Sequence, residues 1–283
     1  MRQLTEISTN RDSVATIVTL TGAFEGIASM RIAQIKDQVQ QSEQFFAELW
    51  RIYNQIRVDE LFHFGRRQST EQVIGKELLI LITAEGGFSG DIDERLVGEA
   101  LAHYSPDKNN IIIVGHHGSV LLQQRGVQSR RSFQLPKHDR NITAAPLIEE
   151  VQKHESTTVY YQSYQSLMTQ DIKTIKLATA VAERGQTVEA GEETISETNY
   201  IFEPSAFSVV DHLERSMMQI TLSEVILESK LAQYASRFRA MSVANERADE
   251  SLNDLIWQYN RAKRHLKDER LKEIINGLRG AKL

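Results

Sequence analysis

Residues 213–266 read LERSMMQITLSEVILESKLAQYASRFRAMSVANERADESLNDLIWQYNRAKRHL. Stepping alternately by four and three from Leu213 lands on Met217, Ile220, Glu224, Leu227, Leu231, Tyr234, Phe238, Met241, Asn245, Ala248, Leu252, Leu255, Tyr259, Ala262 and Leu266. Only Glu224 and Asn245 interrupt an otherwise apolar or aromatic row. A 3.5-residue period sustained this long keeps one stripe of a helix facing one partner and implies a left-handed supercoil. Working outward, the partner is sought at the other end of the chain. From Leu4 the same stepping gives Ile7, Arg11, Val14, Val18, Thr21, Glu25, Ala28, Ile32, Ile35, Val39, Ser42, Phe46, Leu49, Tyr53 and Ile56, a weaker seam broken at Arg11, Thr21, Glu25 and Ser42. Each seam extends roughly 80 Å at about 1.5 Å per residue. Two seams of matched length close most simply as an antiparallel coiled coil. Gly22 and Gly26 on the first helix fit either a close backbone approach or local tolerance within a long packed helix.

All four prolines, Pro106, Pro136, Pro146 and Pro204, lie between these ends. Proline costs about 3 kcal/mol inside a helix, so the proline-free ends are free to form long ones. Between roughly 66 and 204 the periodicity changes. Glu77–Thr83 and Asn110–Gly115 read as buried strands. Asp91–Tyr104 and Val120–Gln124 read as helices, and Pro146 opens another that runs to about His154. Thr157–Ser166 and Ile172–Ala182 are rich in β-branched and aromatic residues and read as strands. Alternation of this kind implies a mostly parallel sheet with helices on its faces. The expected class is therefore α/β: residues 1–60 and 205–283 form a long antiparallel coiled coil, and residues 66–204 form a Rossmann-like α/β domain.

The 283-residue chain has no cysteine, which removes disulfides, thiolate metal sites and cysteine nucleophiles. The net charge of −5 argues against a general polyanion binder, and interleaved aromatic and basic residues of a nucleic-acid surface are weak. No run approaches about 18–20 consecutive apolar residues, and the start has neither a signal nor a transit pattern, so no direct membrane insertion is expected. Residues 229–283 nevertheless hold twelve Lys/Arg against seven Asp/Glu, densest at Arg261, Lys263, Arg264, Lys267, Arg270 and Lys272. Such a run suits a solvated helix face or an acidic partner around the end of the helix.

Two stretches invite chemistry. Gly86-Gly87-Phe88-Ser89-Gly90 follows a strand and precedes a helix, where a phosphate loop would sit. It lacks the GxGxxG spacing and any Gly-Lys-Ser/Thr, so a tight turn accounts for it. His116-His117 has no carboxylate at a helical spacing to complete a metal site. No catalytic residue, metal or cofactor is expected.

Tyr259-Asn260-Arg261-Ala262-Lys263, then Leu271, Glu273-Ile274-Ile275 and Gly277, with Arg237, Met241 and Ala244 matching upstream without a gap, resemble the closing signature of the gamma subunits of F-type ATP synthases. Leu20–Ser29 is similar to that family's "ITKAMEMVAAS" helix through Thr21, Ala23, Glu25 and Ala28. Ile82–Gly90 resembles its "STDRGLCGG" turn, Val114–Gly118 its "IGSKG" turn and Phe202-Glu203-Pro204 its "YEP". The matches run in family order over nearly the whole chain. Departures mark a divergent member: the basic residues after the first helix are thinned to Arg31, "DRG" becomes Ala84-Glu85-Gly86, and Arg264, Asp268 and Arg270 stand where the family has Gln, Thr and Glu.

The resemblance implies the central rotor stalk of a proton-translocating ATP synthase, a non-catalytic subunit. Its expected partners are a hexamer of alpha and beta subunits, an epsilon subunit and a membrane c-ring, rather than a second copy of the chain. It would sit peripherally on the cytoplasmic face of a bacterial cell membrane. Arg237 matches a family position that contacts the hexamer, to which Arg261, Arg264 and Arg270 are added from their local charge. Tyr200 and Glu203 match positions near the ring and epsilon. Other classes fit the bare pattern: a retooled rotary ATPase, a tethering coiled-coil protein that dimerises through its seams, or a nucleotide-binding enzyme using Gly86–Gly90.

Overall fold

The computed structural model describes residues 2–55, 74–135, 142, 144–186 and 201–280. Its elements are α1 (Arg2–Gln55), β1 (Ile74–Ile82), α2 (Ile92–His103), β2 (Asn109–Val114), α3 (His116–Gln124), β3 (Arg131–Phe133), α4 (Ala145–Val151), β4 (His154–Tyr164), β5 (Gln170–Lys176), α5 (Leu177–Gln186) and α6 (Ala206–Gly280). They divide into two compact units. One joins residues 1–28 with 238–283; the other spans 29–237.

The larger unit is built on a five-stranded sheet in the order β3-β2-β1-β4-β5. β1 pairs in parallel with β2 and β4, and β2 with β3, while β5 returns antiparallel to β4. Strand side chains alternate between faces, and β1 is apolar on both. Leu78, Ile80 and Ile82 join Ile112, Val114, Val159, Ile148 of α4 and Leu222, Val225 and Ile226 of α6 in one core. Leu79 and Leu81 join Ile111, Ile113, Leu96 and Val97 of α2 and Leu121 and Leu122 of α3 in the other. Burial on both faces is why these strands read as unbroken apolar runs.

The expected strand over 172–182 ends early. β5 stops at Lys176 and α5 begins at Leu177. Alanines at 178, 180 and 182 favour helix over strand, and Leu177 and Val181, four apart, are both buried on one face. The three-residue β3 is too short to leave a periodic signal.

Within this unit α1 and α6 run antiparallel. Phe46 and Trp50 of α1 pack with Met217 of α6 and Val181 of α5, and Tyr53 donates to Glu214 Oε1 at 3.3 Å. Burial, reinforced by the Glu214 charge, pushes the Tyr53 phenol up from its ordinary value, so it stays protonated and remains a donor.

The smaller unit is a pair of antiparallel helical segments, with Arg11 stacked over the Tyr259 ring at 4.8 Å. Two interruptions of the seams meet here: the Thr21 hydroxyl donates to Asn245 Oδ1 at 2.8 Å. A polar pair in a mainly apolar seam favours one register: a slip takes this partner from the half-buried Asn245 amide, while the Thr21 hydroxyl keeps Ile17 O (2.9 Å) and Val18 O (3.1 Å) of its own helix. Thr21→Val alone is expected to lose about 1–2 kcal/mol, and adding Asn245→Leu to recover most of it. A double-mutant denaturation cycle with no coupling term would remove this register role. Gly22 lies 4.0 Å from Asn245 Oδ1 at its would-be Cβ, and Gly26 meets nothing within 4 Å. Neither position needs glycine for close approach, which leaves tolerance within a long helix.

Candidate functional site: the polar face of the C-terminal helix and the arginines beyond it

Residues 221–236 of α6 are largely buried around the whole helix. Leu222, Val225 and Ile226 meet the sheet with an apolar face. Ser229, Gln233, Ser236 and Arg237, at spacings of four, seven and eight, continue that same face one to three turns further along the helix. This face lies against the carboxyl ends of the parallel strands, where open α/β sheets commonly bind ligands.

Each strand end contributes to what α6 meets. After β1, Thr83 bonds Val114 O at 3.0 Å through its hydroxyl and accepts from Gly118 N at 3.0 Å, tying the β1 and β2 turns together. Asp93, at the start of α2, is fully buried. Its carboxylate accepts from Ala84 N at 3.3 Å and from Gln162 Nε2, near the end of β4, at 2.6 Å. His117 Nδ1 lies 2.7 Å from its other oxygen. Burial raises the Asp93 carboxyl above the ordinary range, and the His117 hydrogen bond and charge oppose that rise. From α6, Ser229 Oγ donates to Gln162 Oε1, and Gln233 Nε2 reaches both Gln162 Oε1 (3.2 Å) and Ser229 Oγ (3.1 Å).

The Gly86–Gly90 turn is held by the same helix. Ser236 Oγ donates to Ser89 O at 2.6 Å. Arg237 Nε and Nη2 approach the carbonyls of Gly87 and Gly86, both at 3.4 Å, the long end of hydrogen bonding. Its guanidinium also lies over the Tyr234 ring, 5.6 Å from the centroid, and burial lowers its pKa from the usual arginine value. The turn therefore presents carbonyls to a cation and a hydroxyl of its own chain, the opposite of the N–H cradle a phosphate requires.

Arg237 belongs to the sheet unit, whereas Arg261, Arg264 and Arg270 are exposed on α6 in the helix-pair unit. Arg261 stacks over the Trp257 ring at 5.4 Å. Glu203 is exposed just before α6, and Tyr200 lies outside the described residues. Among the described residues no three His, Asp or Glu side chains gather as metal ligands.

On α1, Ile17, Leu20 and Ile27 are about half exposed (49, 52 and 49%) and Phe24 is 37% exposed. They form a second apolar stripe beside the seam. Glu25 is the one charged residue between Ser13 and Met30. Leu4–Ile35 is accordingly long and apolar enough, by length and composition alone, to cross a membrane; serine and threonine interrupt it, so a count of consecutive apolar residues passes over it. Its inward stripe meets α6 through Thr21 and Arg11.

Sequence reasoning missed Asp93, Gln162, Ser229 and Gln233. Their available signal was Ser229, Gln233, Ser236 and Arg237 at one-face spacing within an apolar helix, a polar row on the side of the helix away from the seam.

Residues 3–280 match the family described as ATP synthase. The ATP synthase gamma chain of Cytophaga hutchinsonii is 24% identical over 292 residues, covering 98% of each chain. That of Geotalea daltonii is 25% identical over 303 residues, covering 100% of each. A chain of the Euglena gracilis mitochondrial ATP synthase, from its OSCP/F1/c-ring structure in rotational state 3, superposes with a TM-score of 0.63 at 14% identity, over 96% of this chain and 93% of that one. This last likeness speaks to the fold.

Proposed function

This chain belongs to the ATP synthase family, and on that premise we propose that it is the gamma subunit, the central rotor stalk that carries rotation between a membrane c-ring and the alpha/beta catalytic sites. It is a non-catalytic part of a membrane-associated complex, and in our reading it contributes no catalytic residue of its own. The observation that carries this is the antiparallel pairing of its two ends, together with exposed apolar residues on α1 (Ile17, Leu20, Phe24, Ile27) and exposed arginines on α6 (Arg261, Arg264, Arg270). A half-exposed apolar row on a helix calls for a covering surface, and a hexamer of alpha and beta subunits around the helix pair supplies one.

The physical requirement is differential contact energy. A shaft shifts a catalytic site between conformations only by as much as it binds one of them better. An asymmetric shaft, with exposed apolar side chains on both helices (Trp257, Leu271 and Ile274 among those of α6) and exposed arginines on α6, meets three equivalent sites with three different surfaces as it turns. The exposed arginines give directional pairing with acidic groups of the hexamer, while epsilon and the ring are met near Glu203 and Tyr200. The complex would lie on the cytoplasmic face of a bacterial cell membrane.

Affinity-tagged full-length chain is expected to recover alpha, beta and epsilon subunits from its own cells. Recovery as a homodimer alone overturns the rotor reading. Arg237→Ala is expected to lower ATP-driven proton pumping relative to ATP hydrolysis in the reconstituted complex, with the subunit still folded. Unchanged turnover and unchanged pumping would take Arg237 out of the mechanism.

A further inference from the structure

We propose that Asp93 and Gln162 are positioning residues that fix the rotational setting of α6 against the sheet, so that twist applied to the sheet unit is delivered to the helix without slip. The proposal rests on the rotor reading and names the device that reading requires.

The need for such a device follows from the kind of contact that precedes it on the same face of α6. Leu222, Val225 and Ile226 meet the sheet through apolar packing. Apolar burial is non-directional, so a helix held by it alone can rotate or shift by fractions of a turn at modest cost. A shaft under torque is loaded in that direction. Buried hydrogen bonds add the missing angular preference, because each displaced partner is left unsatisfied in the protein interior.

The residues form a connected chain from sheet to helix. Asp93 is anchored by the Ala84 backbone and by His117. It orients the Gln162 amide by accepting from Nε2, which turns Oε1 toward α6. There Ser229 and Gln233 both donate to it. The same amide thus donates to the domain and accepts from the helix. Asp93, Gln162 and Ser229 are fully buried and Gln233 is 5% exposed. Ser236 continues the row with its bond to Ser89 O, so the polar contact spans two turns of one helical face. A role limited to folding would be served as well by apolar side chains of similar volume; register specification is the use for which buried polar groups have the clearest precedent.

The test uses the whole complex, the chain being labelled before assembly, and relies on the absence of cysteine from this chain. Spin labels are placed at Glu99→Cys on α2 and His212→Cys on α6, both exposed sites, and at Glu99→Cys and Gln123→Cys as a pair that ignores α6. Gln162→Leu, or Ser229→Ala should that variant not fold, is expected to broaden the α2–α6 distance distribution and leave the α2–α3 distribution narrow. Asp93→Leu should broaden it likewise, and Asp93→Asn, which keeps an oxygen for Gln162, should restore most of the narrow width. In membrane vesicles the ratio of proton pumping to ATP hydrolysis should fall several-fold for Gln162→Leu. An α2–α6 distribution as narrow as that of the unaltered chain, with an unchanged pumping ratio, overturns the lock. If the unaltered chain fails to assemble with alpha and beta, the rotor reading falls, while the label widths in the full chain still decide whether the polar row sets the helix.

Discussion

Gly115→Ala is expected to leave little soluble, folded protein. Gly115, between β2 and α3, has φ +104, a region that side-chain-bearing residues enter only under strain. A Cβ built there would sit 2.1 Å from the Thr83 carbonyl oxygen and 2.7 Å from its carbon. Both are backbone atoms, so neither can swing aside. Thr83 N is bonded to Val114 O at 2.7 Å and Gly115 N to Phe133 O at 2.8 Å, so opening the gap breaks the ladder on both sides of β2. Strain of about 1–3 kcal/mol adds to an overpacking cost of about 1–3 kcal/mol, against a total stability of about 5–15 kcal/mol. Gly87→Ala is the control, since nothing lies within 4 Å of its would-be Cβ and its φ is ordinary; it should shift the urea midpoint only slightly. Equal midpoints for the two variants would show that the β2 turn relaxes at little cost. The same geometry explains why a turn resembling "IGSKG" keeps glycine at both ends here: a Cβ at Gly118 would fall 2.4 Å from Thr83 Oγ1.

What could be read from the sequence divides by the range of the interaction. The α6 seam from Leu213 to Leu266 contains no exposed residue, because a 3.5-residue period is a local property of one helix. The buried strands at 77–83 and 110–115 were legible for the same reason, being apolar on both faces. Thr21 and Asn245 were each visible as breaks, but their meeting was not, since it depends on the register of two segments 224 residues apart. Asp93 is harder still. Its partners come from the β1 turn, α3 and β4, and no spacing rule links them. Arg237 was singled out through family resemblance as a contact to other subunits; the structure adds its engagement of the Gly86 and Gly87 carbonyls within the chain. The 177–182 stretch shows the limit of composition, where Thr179 and Val181 suggest a strand and the alanines between them prevail.

Phe46→Ala is expected to cost about 3–5 kcal/mol, the range for removing a fully buried aromatic ring, whereas Phe45→Ala next to it should stay within about 0.5 kcal/mol, as surface substitutions do. The two rings differ in composition and local sequence by nothing; helical phase alone separates them. Phe46 falls on the seam, is 1% exposed and stacks on Trp50 with centroids 6.2 Å apart and planes 10° apart. Phe45 is 59% exposed. Around Phe46 lie Met217 and Val181, both fully buried, and the Trp50 ring passes the packing on to Tyr53 at 5.2 Å, whose hydroxyl reaches Glu214. Truncating Phe46 therefore opens a cavity where α1, α5 and α6 converge, and it loosens the orientation that lets Tyr53 pair with Glu214. In the complex the expected consequence is a lower pumping-to-hydrolysis ratio for Phe46→Ala and an unchanged one for Phe45→Ala, because the α1–α6 contact is part of the path that carries twist. Denaturation midpoints measured on both variants decide the packing claim: a Phe45→Ala loss as large as that of Phe46→Ala would mean that α1 meets α6 through a different face, and the helix phase on which the paired-end reading depends would be wrong.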